Sequence, residues 1–315
     1  MGLTVSHLHK KYGEKTVVED LSFEMASPGV YALLGTNGAG KTTSIRMILG
    51  ILAKDGGEVL WNGAPLDINK CSVGYLAEER GLYPKYPLMD QLIYFASLRG
   101  VSKTDAKARI NYWAQRLEVS EYLYPSAVPG SRMKREKPKL ADQLSKGNQQ
   151  KIQFMTALLP DPELIILDEP LSGLDPVNTD IIRNIIREEI SAGKYIIMSS
   201  HQMATVEEFC TDITILDRSK TVLQGNLNEI KKSYGRTNLH LKVERNVTDI
   251  INRAGVIIVS EKENEYSLKV TGDKQANDLL MLIAGEGIPI VTFDLSEPSL
   301  HEIFVERVGE VHDEN

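Results

Sequence analysis

The sequence predicts an α/β protein built on a mixed sheet, followed by a smaller α+β unit. Three observations predict it. Residues 30–50, VYALLGTNGAGKTTSIRMILG, run from a short apolar strand through a glycine-rich turn into residues at helical spacing. Two later aliphatic runs, 164–167 (LIIL) and 195–199, are continuous enough to be strands buried on both faces, the habit of parallel sheets. From Asn238 the pattern starts again as β-α-β-β-α-β, the order of a small ferredoxin-like unit.

Length and composition agree. A chain of 315 residues favours two domains, and 42% hydrophobic with 25% charged residues is ordinary for a globular protein. A net charge of −7 and a pI near 5.5 argue against broad nucleic-acid binding, so no nucleic-acid partner is expected. Cys71 and Cys210 form neither a CxxC nor a metal-ligand spacing, which suits a reducing cytoplasm. No apolar run approaches a membrane span, and no secretory segment follows Met1. Met1, Gly2 and Ser6 fit a myristoylation pattern, but residues 4–9 read as a strand that would bury the anchor point.

Taken in order, residues 3–9 and 16–25 are strands, joined by a turn that exposes Tyr12, either a packing residue or a platform for a base. Residues 30–34 are a strand and 42–49 a helix stopped by Gly50. Between them Gly35, Gly40, Lys41 and Thr42 fit G-x-x-x-x-G-K-[ST], a phosphate-binding loop. Gly35, Gly38 and Gly40 let backbone N–H groups turn toward a polyphosphate, Lys41 reaches its β- and γ-phosphates, and the Thr42 hydroxyl is placed for Mg²⁺. A nucleoside triphosphate is the expected ligand.

Residues 56–63 read as a strand ending in an Asn-Gly hairpin turn, and 73–76 as another strand, leading to Glu78. Helices follow at 89–99 and 103–117, the second with Ala106, Ile110, Trp113 and Leu117 on one stripe. Prolines break the pattern at 125–140, a basic stretch holding Arg132, Lys134, Arg135, Lys137 and Lys139 that reads as a solvated loop or a contact for anionic lipid. Ser145 is an N-cap for a helix running to Pro160. Asp168 and Glu169 end the strand at 164–167, where open α/β sheets place ligands, and a buried Asp168 asks for a cation. Asp175 caps a helix whose first residue is Pro176, and His201 follows the strand at 195–199 directly. A hairpin around residues 218–220, a helix near 228–232 and a polar linker at 233–237 close a domain of residues 1–232. Residues 238–309 form the second domain, without a cluster of chemistry-bearing residues, and 310–315 an acidic tail.

The succession of phosphate loop, LSKGNQQK, LIILDEP, SGLDP and a histidine after a strand resembles the ATPase subunit of ATP-binding-cassette (ABC) transporters over residues 3–232. The ending EPSLHEIF resembles the extra domain of sodium-exporter-like and drug-exporter-like bacterial members. The resemblance implies a P-loop NTPase of the ABC type, with a mixed sheet core, an antiparallel β subdomain and a helical subdomain at about 85–160. By the same likeness Tyr12 would stack on adenine, and Gly35, Thr36, Asn37, Gly38, Ala39, Gly40, Lys41, Thr42 and Thr43 would hold the phosphates of ATP. Thr42, Asp168 and Glu78 would hold Mg²⁺, Glu169 would be the general base, and His201 would meet the γ-phosphate. Ser145 and Gly147 would close on ATP bound to an opposite cassette, with Asp175 linking the two sites.

The implied partners are a second cassette, identical or not, and a separate integral membrane permease that alone contacts the cargo. That places the chain in the cytoplasm, peripheral on the inner face of the membrane. Two residues depart from the family pattern: Glu78 stands for the usual glutamine, and Lys146-Gly147-Asn148 for Gly-Gly-Gln. GTP is disfavoured, because Asn69-Lys70 is followed by Cys71-Ser72 and not by the rest of an NKxD motif. A soluble cassette acting on ribosomes or nucleic acid, and a non-hydrolysing dimerisation switch, are the alternatives.

Overall fold

The structure is a computed structural model that describes residues 2–68, 72–79, 81–124 and 138–313. It divides into two compact units, 1–224 and 225–315.

The first unit opens with β1 (Leu3–Tyr12) and β2 (Lys15–Met25), antiparallel and in register at Tyr12 and Lys15. Tyr12 therefore ends a strand and does not stand in the turn, because the ladder pairs it with Lys15. β3 (Gly29–Gly35) leads into α1 (Lys41–Ile48), and β4 (Gly56–Trp61) pairs with β5 (Ala64–Pro65) around the expected Asn62-Gly63 turn. Both turn residues have positive φ, 53° and 78°, as a tight hairpin of this hand requires. β6 (Val73–Leu76) precedes the helical segment: α2 (Leu88–Leu98), α3 (Lys103–Arg116), α4 (Ser120–Leu123) and α5 (Lys146–Leu158). The stripe of Ala106, Ile110, Trp113 and Leu117 is buried as its spacing predicts. Most of the basic stretch, 125–137, lies outside the described residues. β7 (Leu164–Asp168), α6 (Pro176–Ser191), β8 (Tyr195–Ser200), α7 (Met203–Glu207), β9 (Asp212–Asp217) and β10 (Lys220–Asn226) complete the elements.

These strands form two sheets. One is antiparallel, in the order β2-β1-β4-β5; the other has the order β10-β9-β3-β8-β7-β6, with β9 through β6 parallel. β3, β7 and β8 are buried along their whole length, as continuous aliphatic runs dictate. Leu3, Val5, Leu8 and Leu21 of the first sheet share one core with Leu33, Ile166 and Ile197 of the second. β8 sits between β3 and β7, with Ser199 level with Leu33 on one side and Asp168 on the other. The glycine loop and the Asp168-Glu169 pair thus come to the same carboxyl edge.

The second unit holds α8 (Leu227–Tyr234), β11 (Asn238–Val243), α9 (Thr248–Arg253), β12 (Ile257–Lys262), β13 (Glu265–Lys269), α10 (Asp273–Gly285), β14 (Ile290–Ser296) and α11 (Leu300–Asp313). Its sheet order, β12-β13-β11-β14 with antiparallel neighbours, is that of a ferredoxin-like fold. Two boundaries differ from expectation. The division falls after Gln224 and not at 233–237, since α8 groups with the second unit: its Tyr234 ring carries the Arg307 guanidinium 5.7 Å away. α11 continues to Asp313 through most of the expected tail, with no proline to stop it.

Candidate functional site

The glycine loop owes its path to close contacts. A Cβ on Gly35 would stand 2.1 Å from the Leu216 carbonyl oxygen, and one on Gly40 would stand 2.6 Å from that of Val17. Both have positive φ, 145° and 108°, so no other residue fits either place. α1 begins at Lys41 straight after Gly40, with no side-chain cap on its first N–H groups. Those donors face a cavity of about 340 Å³ lined by Asn37, Gly38, Gly40, Lys41, Thr42 and Thr43, by Glu78 and Glu169 from the sheet side, and by Lys15 and Val17 from β2.

Lys41 is buried, and its Nζ donates to the carbonyl oxygens of Gly35 (2.9 Å) and Thr36 (3.2 Å). It also lies 3.7 Å from Glu169 Oε1. The Thr42 hydroxyl stands 3.3 Å from both Glu78 Oε2 and Asp168 Oδ1. Asp168 is wholly buried, and that burial pushes its carboxyl above the usual range against the opposing pull of the Ser199 and Thr42 hydroxyls. Its Oδ2 has no hydrogen-bond partner. Ser199 Oγ donates to Asp168 Oδ1 at 2.5 Å and accepts the Glu169 N–H at 3.0 Å. Glu169 itself has φ 51°, a left-handed conformation that a glutamate adopts only when its surroundings impose it. Its Oε1 lies 2.9 Å from His201 Nδ1.

The structure therefore joins Lys41, Thr42, Glu78, Asp168, Glu169 and His201 in one constellation around the glycine loop. Tyr12 is half exposed, with Lys10 Nζ 5.3 Å from its ring centre, and it does not line the cavity. Ser145, Gly147 and Asp175 gather elsewhere. Ser145 Oγ accepts the Asn148 N–H and caps α5, and Asp175 accepts the Asn178 N–H and caps α6. The two caps meet through Asn178, whose amide nitrogen is 3.6 Å from where a Cβ on Gly147 would be. Hydrogen bonds from Asn178 hold the Asp175 carboxyl below its usual range. Ser199 was missed by the sequence reading; its signal is the hydroxyl pair that ends the otherwise aliphatic strand YIIMSS, just ahead of His201.

The phosphate loop, the acidic strand end and the capped helix agree with a comparison that spans the chain. It is 39% identical to the uncharacterized ABC transporter ATP-binding protein YhaQ of Bacillus subtilis (strain 168), over 99% of this chain and 100% of that protein. The chain belongs to the ATP-binding proteins of ABC transporters. The ABC transporter family model matches residues 18–172, and the model for the C-terminal domain of DrrA1-3-like ATP-binding proteins matches 225–308. The linearmycin resistance ATP-binding protein LnrL of B. subtilis is 28% identical over 98% of each chain. A solved ATP-binding subunit of an ABC transporter superposes with TM-score 0.65 at 28% identity, covering 74% of this chain and 93% of that one. The protein is thus an ABC ATP-binding subunit with a P-loop NTPase fold, and its family hydrolyses ATP to power transport. Among the described residues no helix is long and apolar enough to cross a membrane.

Proposed function

We propose that this ABC ATPase closes as a dimer of cassettes on ATP and Mg²⁺, and that opening and closing drive a separate membrane permease, in the export direction by the exporter-like ending EPSLHEIF. The observation that carries the reading is the convergence of Lys41, Thr42, Asp168, Glu169 and His201 on the loop between β3 and α1. Lys41 holds the β- and γ-phosphates. The loop N–H groups and the start of α1 supply further positive potential, and Thr43 lies near the α-phosphate. Glu169 accepts a proton from the attacking water, and His201, which touches its Oε1, steadies that carboxylate and meets the γ-phosphate.

Thr42, Asp168 and Glu78 fit a hard, oxygen-seeking cation. The donor set is all oxygen, and the buried Asp168 Oδ2 lacks a partner. When bound, Mg²⁺ supplies charge neutralisation at the phosphates. Tyr12, exposed at the end of β1, is available to stack on adenine. Ser145, Gly147 and Asp175 gather away from the loop, which supports the expectation that they serve the opposite cassette. Membership of the ABC ATP-binding proteins supports a permease on another chain and a peripheral, cytoplasmic placement.

The test uses Glu169→Gln, which keeps the shape and removes the base. Phosphate release should fall by about 10²-fold or more while ATP affinity is kept, since a general base contributes on the order of 10²–10⁴. The tagged variant, recovered with Mg-ATP from detergent-solubilised cells, should carry a multi-span membrane protein in near-equal amount. Unchanged turnover would remove Glu169 from its role, and ribosomal or other soluble partners alone would overturn the transporter reading.

A further inference from the structure

Two carboxylates compete for one hydroxyl in this site. Thr42 Oγ1 is 3.3 Å from Glu78 Oε2 and 3.3 Å from Asp168 Oδ1, yet it has a single proton to give. Asp168 is 0% exposed, and its Oδ2 is buried without any hydrogen-bond partner. A buried carboxylate in that state is costly unless a cation reaches it. Of the described cations around the loop, Lys15 lines the cavity from β2, and Lys41 and Arg46 have other partners. Lys41 donates to two loop carbonyl oxygens and leans toward Glu169, and Arg46 hydrogen-bonds the Tyr75 side chain. Glu78 adds its own repulsion to the effect of burial on Asp168.

We infer that Thr42, Glu78 and Asp168 of this chain form a divalent-cation site that fills before any nucleotide arrives, and that Glu78 is the residue that creates it. The inference rests on the reading that these three residues face Mg²⁺ in the ATP complex, and it goes further. With a neutral glutamine at 78, a single carboxylate would sit beside the Thr42 hydroxyl, and Lys41 would balance much of its charge. A cation would then need the phosphates to complete its ligand set. With glutamate there, the pair carries a second negative charge, and Lys41, shared with Glu169 3.7 Å away, balances at most one of the two. Two carboxylates and a hydroxyl, with water filling the remaining positions, suit Mg²⁺ or Mn²⁺. The cation also shields the arriving phosphates from both carboxylates. ATP therefore enters a site already loaded with metal.

The test uses the full chain, freed of nucleotide, and Mn²⁺ alone as probe. Binding is followed by the loss of the free-ion electron paramagnetic resonance signal and by calorimetry. The wild type should take up one Mn²⁺ per chain. Glu78→Gln should weaken that binding at least tenfold, and Asp168→Asn should do the same. Glu79→Gln, an exposed neighbouring change, should leave it unaltered. In EDTA, metal-free ATP should bind Glu78→Gln more tightly than wild type, because one carboxylate facing the phosphates is gone. Equal Mn²⁺ affinity in wild type and Glu78→Gln, or no uptake by the wild type, would overturn the inference. If both proteins still bound Mn-ATP in that event, the three residues would keep their role in the nucleotide complex. Failure of the wild type to bind Mn-ATP would sink the nucleotide reading together with the inference.

Discussion

The two units of this chain use the same means, a sheet with helices packed against it, and treat charge in opposite ways. In the first unit Lys41, Lys151, Asp168 and Glu169 are buried, and among the described residues every charged residue buried as a whole lies before residue 225. In the second unit charges pair at the surface, as Lys242 does with Glu265 at 3.0 Å and Arg253 with Glu286. The backbone follows suit. Glu169 is held left-handed at the end of a buried strand, whereas in the second unit the non-glycine residues with positive φ are Glu263 and Asn264, an ordinary hairpin turn. The difference teaches where function resides. A fold that buries only apolar surface has little chemistry to offer, while one that holds carboxylates and a lysine out of water has accepted instability for a purpose.

Three measurements would break or sharpen this contrast. The largest effect is expected at the apolar core of the second unit. Leu279→Ala, at a position 0% exposed, should destabilise that unit by about 2–5 kcal/mol in denaturant unfolding and leave ATP affinity unchanged. A fall in ATP affinity would mean that the second unit supports the site. The next effect compares two helix caps, Ser145, which accepts one N–H, and Asn226, which accepts two. Ser145→Ala and Asn226→Ala each remove a side chain that accepts helix N–H groups and should each cost about 1 kcal/mol. Only Ser145→Ala should also slow ATP turnover by the paired cassettes; equal losses of turnover would erase the distinction.

The smallest effect is a pair of opposite pH slopes. The Asp168 carboxyl is pushed up by burial, so the folded state prefers it protonated, and its contribution to stability is lost as pH rises through the raised value. Asp168→Asn should therefore gain on the wild type as pH is raised from the ordinary aspartate range toward neutrality. The Glu265 carboxyl is held down, first by its hydrogen bond from Lys242, so its contribution is present above the ordinary glutamate range and lost as pH falls through the lowered value. Glu265→Gln should thus lose to the wild type at neutral pH and match it in acid. Unfolding midpoints in urea across pH would read both slopes, and slopes of one sign would contradict the contrast.

Much of this was legible in the residues, and the legible parts share a cause. Strands such as LIIL and VYALL announce themselves because burial on both faces leaves no polar alternative. Gly35, Gly40, Lys41 and Thr42 are readable because backbone approach to phosphates admits few residue types. The ferredoxin-like order was legible too, since each of its elements keeps a clear period. What stayed hidden depends on contacts across the chain. The α8 helix groups with the second unit through Tyr234 and Arg307, which are far apart in sequence. The backbone strain at Glu169 and the sharing of the Thr42 hydroxyl by Glu78 and Asp168 come from three elements meeting, and no local pattern encodes them.

Ser199 has a consequence for mutational tolerance. Its hydroxyl serves two buried partners at once, donating to Asp168 and accepting from the Glu169 N–H, while the residue itself sits inside a strand and does not line the cavity. Replacement by alanine or valine would suit the apolar neighbours on β8 and yet leave the buried Glu169 N–H without its partner, at about 1–3 kcal/mol, and Asp168 Oδ1 with the longer Thr42 bond alone. A saturation screen for ATPase activity should accordingly find position 199 nearly as restricted as Lys41. Position 198, one residue earlier on the same strand and buried, should accept apolar side chains of similar volume.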